Sequence, residues 1–225
     1  MKILLFGATG TAGSGILQAC LRAPDVVEVR VLVRRQLAVA HERLKVFLHD
    51  EYLDYAKVRE AFTGVDACLY ALGISVRQVP GEPEYRRITH DFAMAAAAQL
   101  KTASPDAVLH FVSGQGASLD SRFMWARVKA ETERDLAGVI ATVCWRPGFI
   151  DGGSAATGPR LYRALRPLFR LLRFARALYV TSDDIGRAML CAIAEGTRGG
   201  IIENPQIRAL ADRTREARCT RTRAR

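Results

Sequence analysis

Short apolar runs alternate along this chain with longer segments in which apolar residues recur at helical spacing. The runs are rich in β-branched and other large apolar residues and predict buried strands, whereas the longer segments predict amphipathic helices. The strands predicted in this way are Lys2–Phe6, Val27–Val33, Leu44–Asp50, Asp66–Gly73, Ala107–Gly114 and Ile140–Gly148. Strands that alternate with helices predict right-handed crossovers and a doubly wound parallel sheet.

The helical segments differ before and after Arg146. Those between the earlier strands are predicted to follow Gly13 and to span Asp54–Phe62, Glu84–Leu100 and Ser121–Leu136. Beyond Arg146 the alternation ends, and residues 160–178 place arginines on one helical face that Pro167 interrupts. We interpret this segment as a helical flap with a solvated arginine face, the alternative being a helix on an anionic membrane surface. A helix from Ser182, a strand at Ile201–Ile202 and a small helix at Pro205–Leu210 follow.

The pattern predicts a single Rossmann-like α/β domain over residues 1–210, which includes a small C-terminal helical lobe from about residue 151. Residues 211–225 are predicted to be a disordered basic tail, because apolar residues are scarce after Leu210. Seven of the arginines lie between Arg208 and Arg225, against only Asp212 and Glu216. This segment therefore carries +5, half of the net charge of +10. No aromatic residues alternate with these arginines, so the charge does not favour nucleic-acid binding.

Composition excludes several classes of protein. The chain has 225 residues, of which 49% are hydrophobic, but no apolar run is long enough to span a membrane. The first strand follows the N-terminus directly, without an apolar secretory segment, and we expect a cytoplasmic protein. The five cysteines are scattered and lack C-x-x-C spacing, which fits a reducing compartment and predicts no metal site.

The junction between the first strand and the first helix carries the strongest functional signal. Glycines recur at Gly7, Gly10 and Gly13, where the strand ends and the helix begins. Glycines allow a sharp turn and a close ligand, and the free N–H groups at a helix start favour an anion. We interpret the turn as a site for a dinucleotide pyrophosphate. Its spacing differs from the commonest G-x-G-x-x-G fingerprint, and the alternative is a simple tight connection.

The end of the second strand indicates which dinucleotide would bind. An acidic residue there bonds the ribose of NAD(H), whereas an arginine accommodates the additional phosphate of NADP(H). Here Arg34 and Arg35 occupy this position and no acidic residue is present. The sequence therefore favours NADP(H), with NAD(H) as the alternative cofactor.

Several motifs together resemble the atypical short-chain dehydrogenase/reductases, which include NAD-dependent epimerase/dehydratase-like and NmrA-like proteins. The matching motifs are Gly7-Ala8-Thr9-Gly10-x-x-Gly13, Ala71-Leu72-Gly73, Val112-Ser113-Gly114, Lys129-x-Glu131, Arg146-Pro147-Gly148-Phe149 and Ser182-Asp183-Asp184-Ile185-Gly186. The resemblance covers residues 2 to 210. Within the family, the stretches from His49 to Ala56 and from Cys68 to Gly73 are most similar to the branch of TIP30/CC3-type oxidoreductases.

The resemblance implies a role for each matched position. The pyrophosphate would be held by Gly7, Thr9, Gly10, Thr11, Ala12 and Gly13. The 2′-phosphate would meet Arg34, and the adenine would lie beside Asp50 and Glu51. The ribose and nicotinamide would be lined by Ala71, Leu72, Gly73, Pro147, Gly148 and Phe149. Lys129 would bond the nicotinamide ribose, and Ser113 would be the polar group that follows the fifth strand.

One position departs from the family. The resemblance implies a proton-transferring tyrosine four residues before the lysine, and this chain has Trp125 there. An indole N–H donates a hydrogen bond but does not relay protons. Three interpretations remain: Lys129 and Ser113 support a reduction with a proton from water or Tyr85, the protein binds NADPH without turnover as a regulator, or the site is an inert scaffold.

Among these interpretations we favour an NAD(P)H-dependent oxidoreductase acting on an unidentified small molecule, with the non-catalytic regulator as the alternative. The scaffold is the least favoured, because the glycine turn is intact. No catalytic triad or metal-ligand spacing is present in the sequence, and the four histidines are isolated from one another. The chain is expected to be a monomer or a homodimer.

Overall fold

A computed structural model describes residues 1–152 and 177–223, with side chains as far as residue 214. Seven strands form one parallel sheet: β1 (Lys2–Phe6), β2 (Glu28–Val33), β3 (Leu44–Leu48), β4 (Ala67–Tyr70), β5 (Val108–Val112), β6 (Thr142–Arg146) and β9 (Gly200–Glu203). Their order across the sheet is β3-β2-β1-β4-β5-β6-β9. The first six follow the order of dinucleotide-binding folds, which confirms the predicted fold class.

The helices lie between the strands and after them. They are α1 (Thr11–Arg22), α2 (Glu82–Arg86), α3 (Phe92–Ala103), α4 (Met124–Val139), α5 (Ser182–Ala194) and α6 (Asn204–Arg223). Helices α2 and α3 are joined by a π-helical turn, Arg87–Asp91, so the long helix predicted from Glu84 is continuous but changes its winding. The predicted helix Asp54–Phe62 is a 3₁₀ helix over Ala56–Phe62. Within the described part of the chain, no helix has the length and apolar content needed to span a membrane.

Two apolar cores cover the two faces of the sheet. Strand β1 is central, and its alternate side chains supply both cores: Ile3 and Leu5 on one face, Leu4 and Phe6 on the other, all completely buried. Helices α1 and α5 contribute to the first core, and α3 and the 3₁₀ helix contribute to the second. A strand buried on both faces reads as a continuous apolar run, which is why β1 was predictable.

Helices α1 and α5 approach each other at two glycines. A Cβ on Gly15 would overlap the side chain of Ser182, and a Cβ on Gly186 would lie 2.6 Å from Cβ of Ala19. Helix α5 begins in a capping box, in which Thr181 and Asp184 each bond the backbone N–H of the other. The contact fixes the helix that carries the glycine turn against the C-terminal part of the chain.

Arg43 and Arg30 bond backbone carbonyl groups at and just after the ends of two helices. The guanidinium of Arg43 donates to the carbonyl oxygens of Leu21, Ala23 and Val26 at the end of α1. The guanidinium of Arg30 bonds the carbonyls at the end of the 3₁₀ helix, at distances of 2.7 to 3.2 Å. Cations stabilise the carboxyl ends of helices, where carbonyl groups lack partners. Part of the positive charge of the chain therefore has an internal role.

The C-terminal region contains a pair of strands that was not predicted. Strands β7 (Phe149–Asp151) and β8 (Tyr179–Thr181) form a separate parallel pair that the sequence pattern did not reveal, because each has only three residues. Most of the predicted arginine-rich helix, over residues 160–178, falls within residues 153–176, which lie outside the described part of the chain.

Helix α6 continues to Arg223, through much of the segment for which we predicted disorder. Ala211 is completely buried, and the hydroxyl of Thr214 donates to the carbonyl of Arg187. Arginine and alanine are good helix formers, and these contacts with α5 anchor the start of the extension. The scarcity of apolar residues after Leu210 thus did not prevent helix formation.

Candidate functional site

The glycine turn is a close contact between three segments of backbone. Gly7 has a positive φ of 75°, and a Cβ there would overlap the carbonyl of Ala71, which follows β4. A Cβ on Gly13 would overlap the carbonyl of Gly7. The amide of Gly10 donates to the same Gly7 carbonyl at 2.8 Å. Gly7 and Gly13 therefore have a steric or conformational reason at their positions, whereas a Cβ on Gly10 would lie 3.2 Å from the Gly7 carbonyl oxygen without overlapping it.

The amino end of α1 lies open beside this turn. Gly10 occupies the N-cap position and has no side chain to bond the first amides of the helix. The first turn of the helix, which includes Thr11, Ala12 and Gly13, holds no acidic residue. Thr9 is exposed at the tip of the turn. Free amides at the positive end of a helix dipole form a suitable environment for a phosphate group.

The predicted adenine and 2′-phosphate positions lie at the carboxyl ends of two strands of the sheet. Arg34 follows β2, Asp50 and Glu51 follow β3, and all three side chains are exposed. Burial raises the pKa of the neighbouring Tyr52, while Arg34 opposes this shift and Asp50 adds to it. Strands β2 and β3 pair in parallel with Val33 opposite Leu48, so the residues that follow the two strands lie side by side.

Two further backbone segments follow the carboxyl ends of β4 and β6. Ala71 and Leu72 are half-buried and Gly73 is exposed, directly after β4. Pro147 is buried after β6, and its carbonyl accepts from the amide of Gln115 at 2.9 Å. The next two residues are held differently. The amide of Gly148 donates to Oδ1 of Asn204 at 2.9 Å, and the ring of Phe149 stacks on that of Tyr179.

Lys129 and Ser113 meet at the carboxyl end of β5. The ammonium of Lys129, on α4, donates to the carbonyl oxygen of Ser113 at 2.8 Å and lies 5.8 Å from the centre of the Phe111 ring. Burial lowers the pKa of Lys129 to about 8, while Glu133 opposes the shift. The hydroxyl of Ser113 is buried and has no hydrogen-bond partner among the described residues. A buried hydroxyl without a partner is costly.

Trp125 lies beside the same strand end. Its six-membered ring would contact Cβ atoms placed on Gly114 or Gly116, at 3.7 and 3.8 Å. The ring of Phe123 stacks on that of Trp125, with a centroid distance of 6.5 Å, and Phe123 is 67% exposed. Our reading of the sequence did not single out Phe123. The available signal was a pair of aromatic residues spaced by one residue, Phe123 and Trp125.

Other candidate groups take structural roles. Tyr85 is only 2% exposed, which does not favour it as a proton source in the crevice. The carboxylate of Glu131, in the matched Lys-x-Glu motif, pairs with Arg86 and joins α4 to α2.

The side chains described by the structure include no cluster of three potential metal ligands. The thiols of Cys20, Cys68 and Cys144 are buried, and burial raises the pKa of each.

Sequence comparison reveals relatives in fungi, although no known family model matches the chain. The chain is 30% identical to the mitochondrial protein FMP52 of Eremothecium gossypii over 154 residues, which cover 68% of this chain and 67% of the relative. It is 30% identical over 165 residues to the mitochondrial protein fmp52-1 of Aspergillus terreus, with 70% of each chain covered. The mitochondrial FMP52 of Saccharomyces cerevisiae is 26% identical over 205 residues, covering 83% and 85%.

Solved structures share the fold at low sequence identity. The enzyme WbmF of Bordetella bronchiseptica, solved with NAD+, has a TM-score of 0.68 at 13% identity and covers 96% of this chain and 77% of its own. The ADP-L-glycero-D-manno-heptose-6-epimerase of Helicobacter pylori has a TM-score of 0.66 at 12% identity, covering 95% and 82%. A glucuronic acid dehydrogenase from Chromohalobacter salexigens has a TM-score of 0.62 at 19% identity, covering 89% and 75%.

The expected cytoplasmic location is contradicted by the sequence relatives, which are named as mitochondrial proteins. Our expectation was based on the lack of an apolar secretory segment. Import into mitochondria uses amphipathic, arginine-rich segments instead, so that criterion does not separate the two compartments.

Proposed function

The chain belongs to the FMP52 family, and we propose that it is an NAD(P)H-dependent oxidoreductase of the atypical short-chain type that acts on a small molecule. The observation that carries this proposal is that two features lie at the carboxyl ends of strands in the same sheet. An uncapped helix start lies behind the glycine turn, and an amine and an unpartnered hydroxyl lie at the end of β5. This combination suits a dinucleotide next to a reacting oxygen atom.

The residues present fit a nicotinamide dinucleotide. A Cβ on Gly7 or Gly13 would overlap a backbone carbonyl, so the tight turn requires glycine there, and the amides of the first turn of α1 are free of side-chain caps. We infer that Gly7, Thr9, Gly10, Thr11, Ala12 and Gly13 hold the pyrophosphate. We assign Asp50 and Glu51 to the adenine, and Ala71, Leu72, Gly73, Pro147, Gly148 and Phe149 to the ribose and nicotinamide. The bound cofactor supplies hydride transfer.

The exposed guanidinium of Arg34 supports a preference for NADPH over NADH, because a guanidinium binds a phosphate with two parallel hydrogen bonds. The similarity between His49 and Gly73 supports placing the chain nearest to the TIP30/CC3-type branch.

Lys129 and Ser113 would perform the proton chemistry. Lys129 is fixed by its bond to the Ser113 carbonyl, and its pKa of about 8 keeps it protonated at neutral pH yet able to release a proton. The Ser113 hydroxyl is free to donate to a substrate oxygen and orient it. In this assignment Lys129 takes the role of the tyrosine that the resemblance to atypical short-chain dehydrogenase/reductases implies at position 125.

Trp125 supports a second candidate function. An indole gives up no proton near neutral pH, so a chain with tryptophan at this position is also suited to binding NADPH without turnover. In that case the protein would act as a cofactor-dependent regulator of a partner.

A fluorescence titration followed by a substrate screen tests the proposal. NADPH and then NADH are added while the emission of Trp125 and Trp145 and energy transfer to the reduced nicotinamide are recorded. Micromolar NADPH binding with cofactor oxidation by a member of a carbonyl panel supports the oxidoreductase. Tight binding without oxidation of any panel member supports the regulator. The absence of binding by either cofactor contradicts both.

A further inference from the structure

Glu133 lies one helical turn after Lys129 on α4. Side chains four residues apart on a helix are neighbours, so the two could form an ion pair. Glu133 is buried, and its charge raises the pKa of Lys129 against the effect of burial. The structure, which describes both side chains, nevertheless shows no ion pair between them. The ammonium donates instead to the carbonyl oxygens of Ser113 at 2.8 Å and Val112 at 3.4 Å.

Arg146 occupies both oxygen atoms of the Glu133 carboxylate. Its guanidinium, at the end of β6, donates from Nε to one oxygen at 3.0 Å and from Nη2 to the other at 2.6 Å. The third nitrogen, Nη1, donates to Glu203 at the end of β9, at 3.2 Å. The side chain of Glu133 is 6% exposed and that of Arg146 is 17% exposed. Two parallel bonds of this kind fix the orientation of a carboxylate.

The remaining groups around Lys129 are uncharged or paired elsewhere. The end of β5 presents carbonyl oxygens and the ring of Phe111, 5.8 Å from the ammonium. On β6, Cys144 lies near Glu133, and burial raises the pKa of its thiol to about 12, so the thiol is neutral. Other charged side chains of α4 have partners of their own: Arg127 pairs with Glu82, Glu131 with Arg86, and Asp135 with His90 and Arg134.

The bonds of Arg146 therefore decide what Glu133 does to its neighbour. A carboxylate beside an ammonium favours the protonated form of the ammonium, but a carboxylate bound by a guanidinium belongs to a pair without net charge. Without Arg146, Glu133 would be a buried unpaired charge with Lys129 one turn away. Given the proposed role of Lys129 as the proton donor, on which this rests, we propose that Arg146 is a positioning residue. It holds both oxygens of Glu133 away from Lys129, so that Lys129 can release its proton.

An NMR titration of Lys129 tests this without requiring turnover. Full-length protein is labelled with ¹³C at the Cε atoms of its five lysines, and the Lys129 resonance is the one that is missing in Lys129→Arg. In the wild type we expect a titration midpoint at about pH 8. Arg146→Met keeps a long side chain without charge, and it should raise the midpoint by at least about one pH unit, a tenfold gain in proton affinity. An unchanged midpoint would overturn the proposal.

Two further variants separate the holding of Glu133 from the charge of Arg146. Arg146→Lys keeps the charge but lacks the planar fork, so the midpoint should rise less than in Arg146→Met, and no rise would overturn the role of the two bonds. The double variant Glu133→Gln/Arg146→Met removes the pair as a unit and leaves no buried unpaired charge, so it serves even if Arg146→Met does not fold. Its midpoint should lie within about half a pH unit of the wild type. A rise as large as that in Arg146→Met, or a fall of about one pH unit, would overturn the proposal.

The rate of reduction gives a separate result. With a panel compound that is turned over, the fall in rate should move to higher pH in Arg146→Met by the same amount as the NMR midpoint. A midpoint that moves while the rate profile stays in place would contradict the proposed role of Lys129 in catalysis and support the role of Arg146. A protein that shows no turnover still reports the midpoint.

Discussion

Trp125 and Lys129 lie one helical turn apart on α4, and both side chains pack against Gly114. A Cβ on that glycine would lie 3.7 Å from the indole ring and 3.6 Å from Cδ of the lysine. The two side chains therefore occupy neighbouring places at the end of β5. One carries an ammonium with a lowered pKa and the other carries no group that relays protons.

Replacing Trp125 by tyrosine should create or increase turnover. Trp125→Tyr introduces a hydroxyl near the Lys129 ammonium, which lowers the pKa of a phenol and makes it a better proton donor. We expect a rate increase of about 10²-fold, the lower range for general acid catalysis. NADPH oxidation with the carbonyl panel measures it. Trp125→Phe is the matched control, because it changes the ring without adding a hydroxyl, and equal rates in both variants would argue against a proton-transfer effect.

Lys129 should control how the rate of reduction depends on pH. A proton donor with a pKa of about 8 is lost as the pH rises, so the reduction rate should fall through pH 8. Lys129→Arg keeps the charge but does not deprotonate in this range, and the fall should disappear. Initial rates between pH 6 and 10, at saturating NADPH and with a panel compound that is turned over, measure this. A fall near pH 8 that persists in Lys129→Arg would assign it to another group.

Gly13→Ala should weaken NADPH binding by at least tenfold. The new Cβ would overlap the Gly7 carbonyl, so the turn has to open. Overpacking of this kind costs about 1–3 kcal/mol of unfolding free energy. Gly138→Ala is the control, because Gly138 is exposed on α4 with nothing within 4 Å of its Cβ position. Calorimetric NADPH titrations and denaturant unfolding of both variants test this, and equal affinities would show that the turn does not hold the pyrophosphate.

Arg34→Ala should remove the preference for NADPH over NADH. An exposed guanidinium at the end of β2 bonds the 2′-phosphate only of NADPH, so the variant should lose about tenfold or more in NADPH affinity and little in NADH affinity. Arg35→Ala is the neighbouring control of equal charge. If the two variants lose NADPH affinity equally, the effect comes from general positive charge.

His110 should make the fold sensitive to acid. Burial lowers the pKa of the folded histidine to about 3, so between pH 6.5 and 3 only the unfolded chain binds this proton. Stability due to this group is therefore complete above pH 6.5 and falls by about 1.4 kcal/mol per pH unit below it. Urea unfolding at pH 7 and pH 5 measures the fall, which should be smaller in His110→Phe. His41→Phe, at a half-buried position in the loop before β3, should retain the full loss.

Most of the sheet was predictable because its strands are buried on both faces and read as apolar runs. Strands β7 and β8 were not, since three residues carry too little pattern. The extent of α6 depends on contacts such as that of Ala211 with the first core, which composition does not report. The π-helical turn at Arg87–Asp91 lies inside a sequence with ordinary helical periodicity.

The site was predictable where backbone geometry demands a residue type. The glycines at positions 7 and 13 each meet a carbonyl, and a sequence pattern records such a requirement directly. The unpartnered hydroxyl of Ser113 and the bond from Arg146 to Glu203 depend instead on neighbours distant in sequence. The roles of the predicted site residues stay predictions until the variants are measured.

The glycine contact between α1 and α5 limits how this chain can be divided. The helix whose amino end lies beside the glycine turn is supported by residues more than 160 positions later, at Ser182 and Gly186. The N-terminal half, although it contains the whole glycine motif, is not a portable nucleotide-binding module. Truncation before residue 182 would remove the surface on which α1 rests, so fragments and fusions must retain α5.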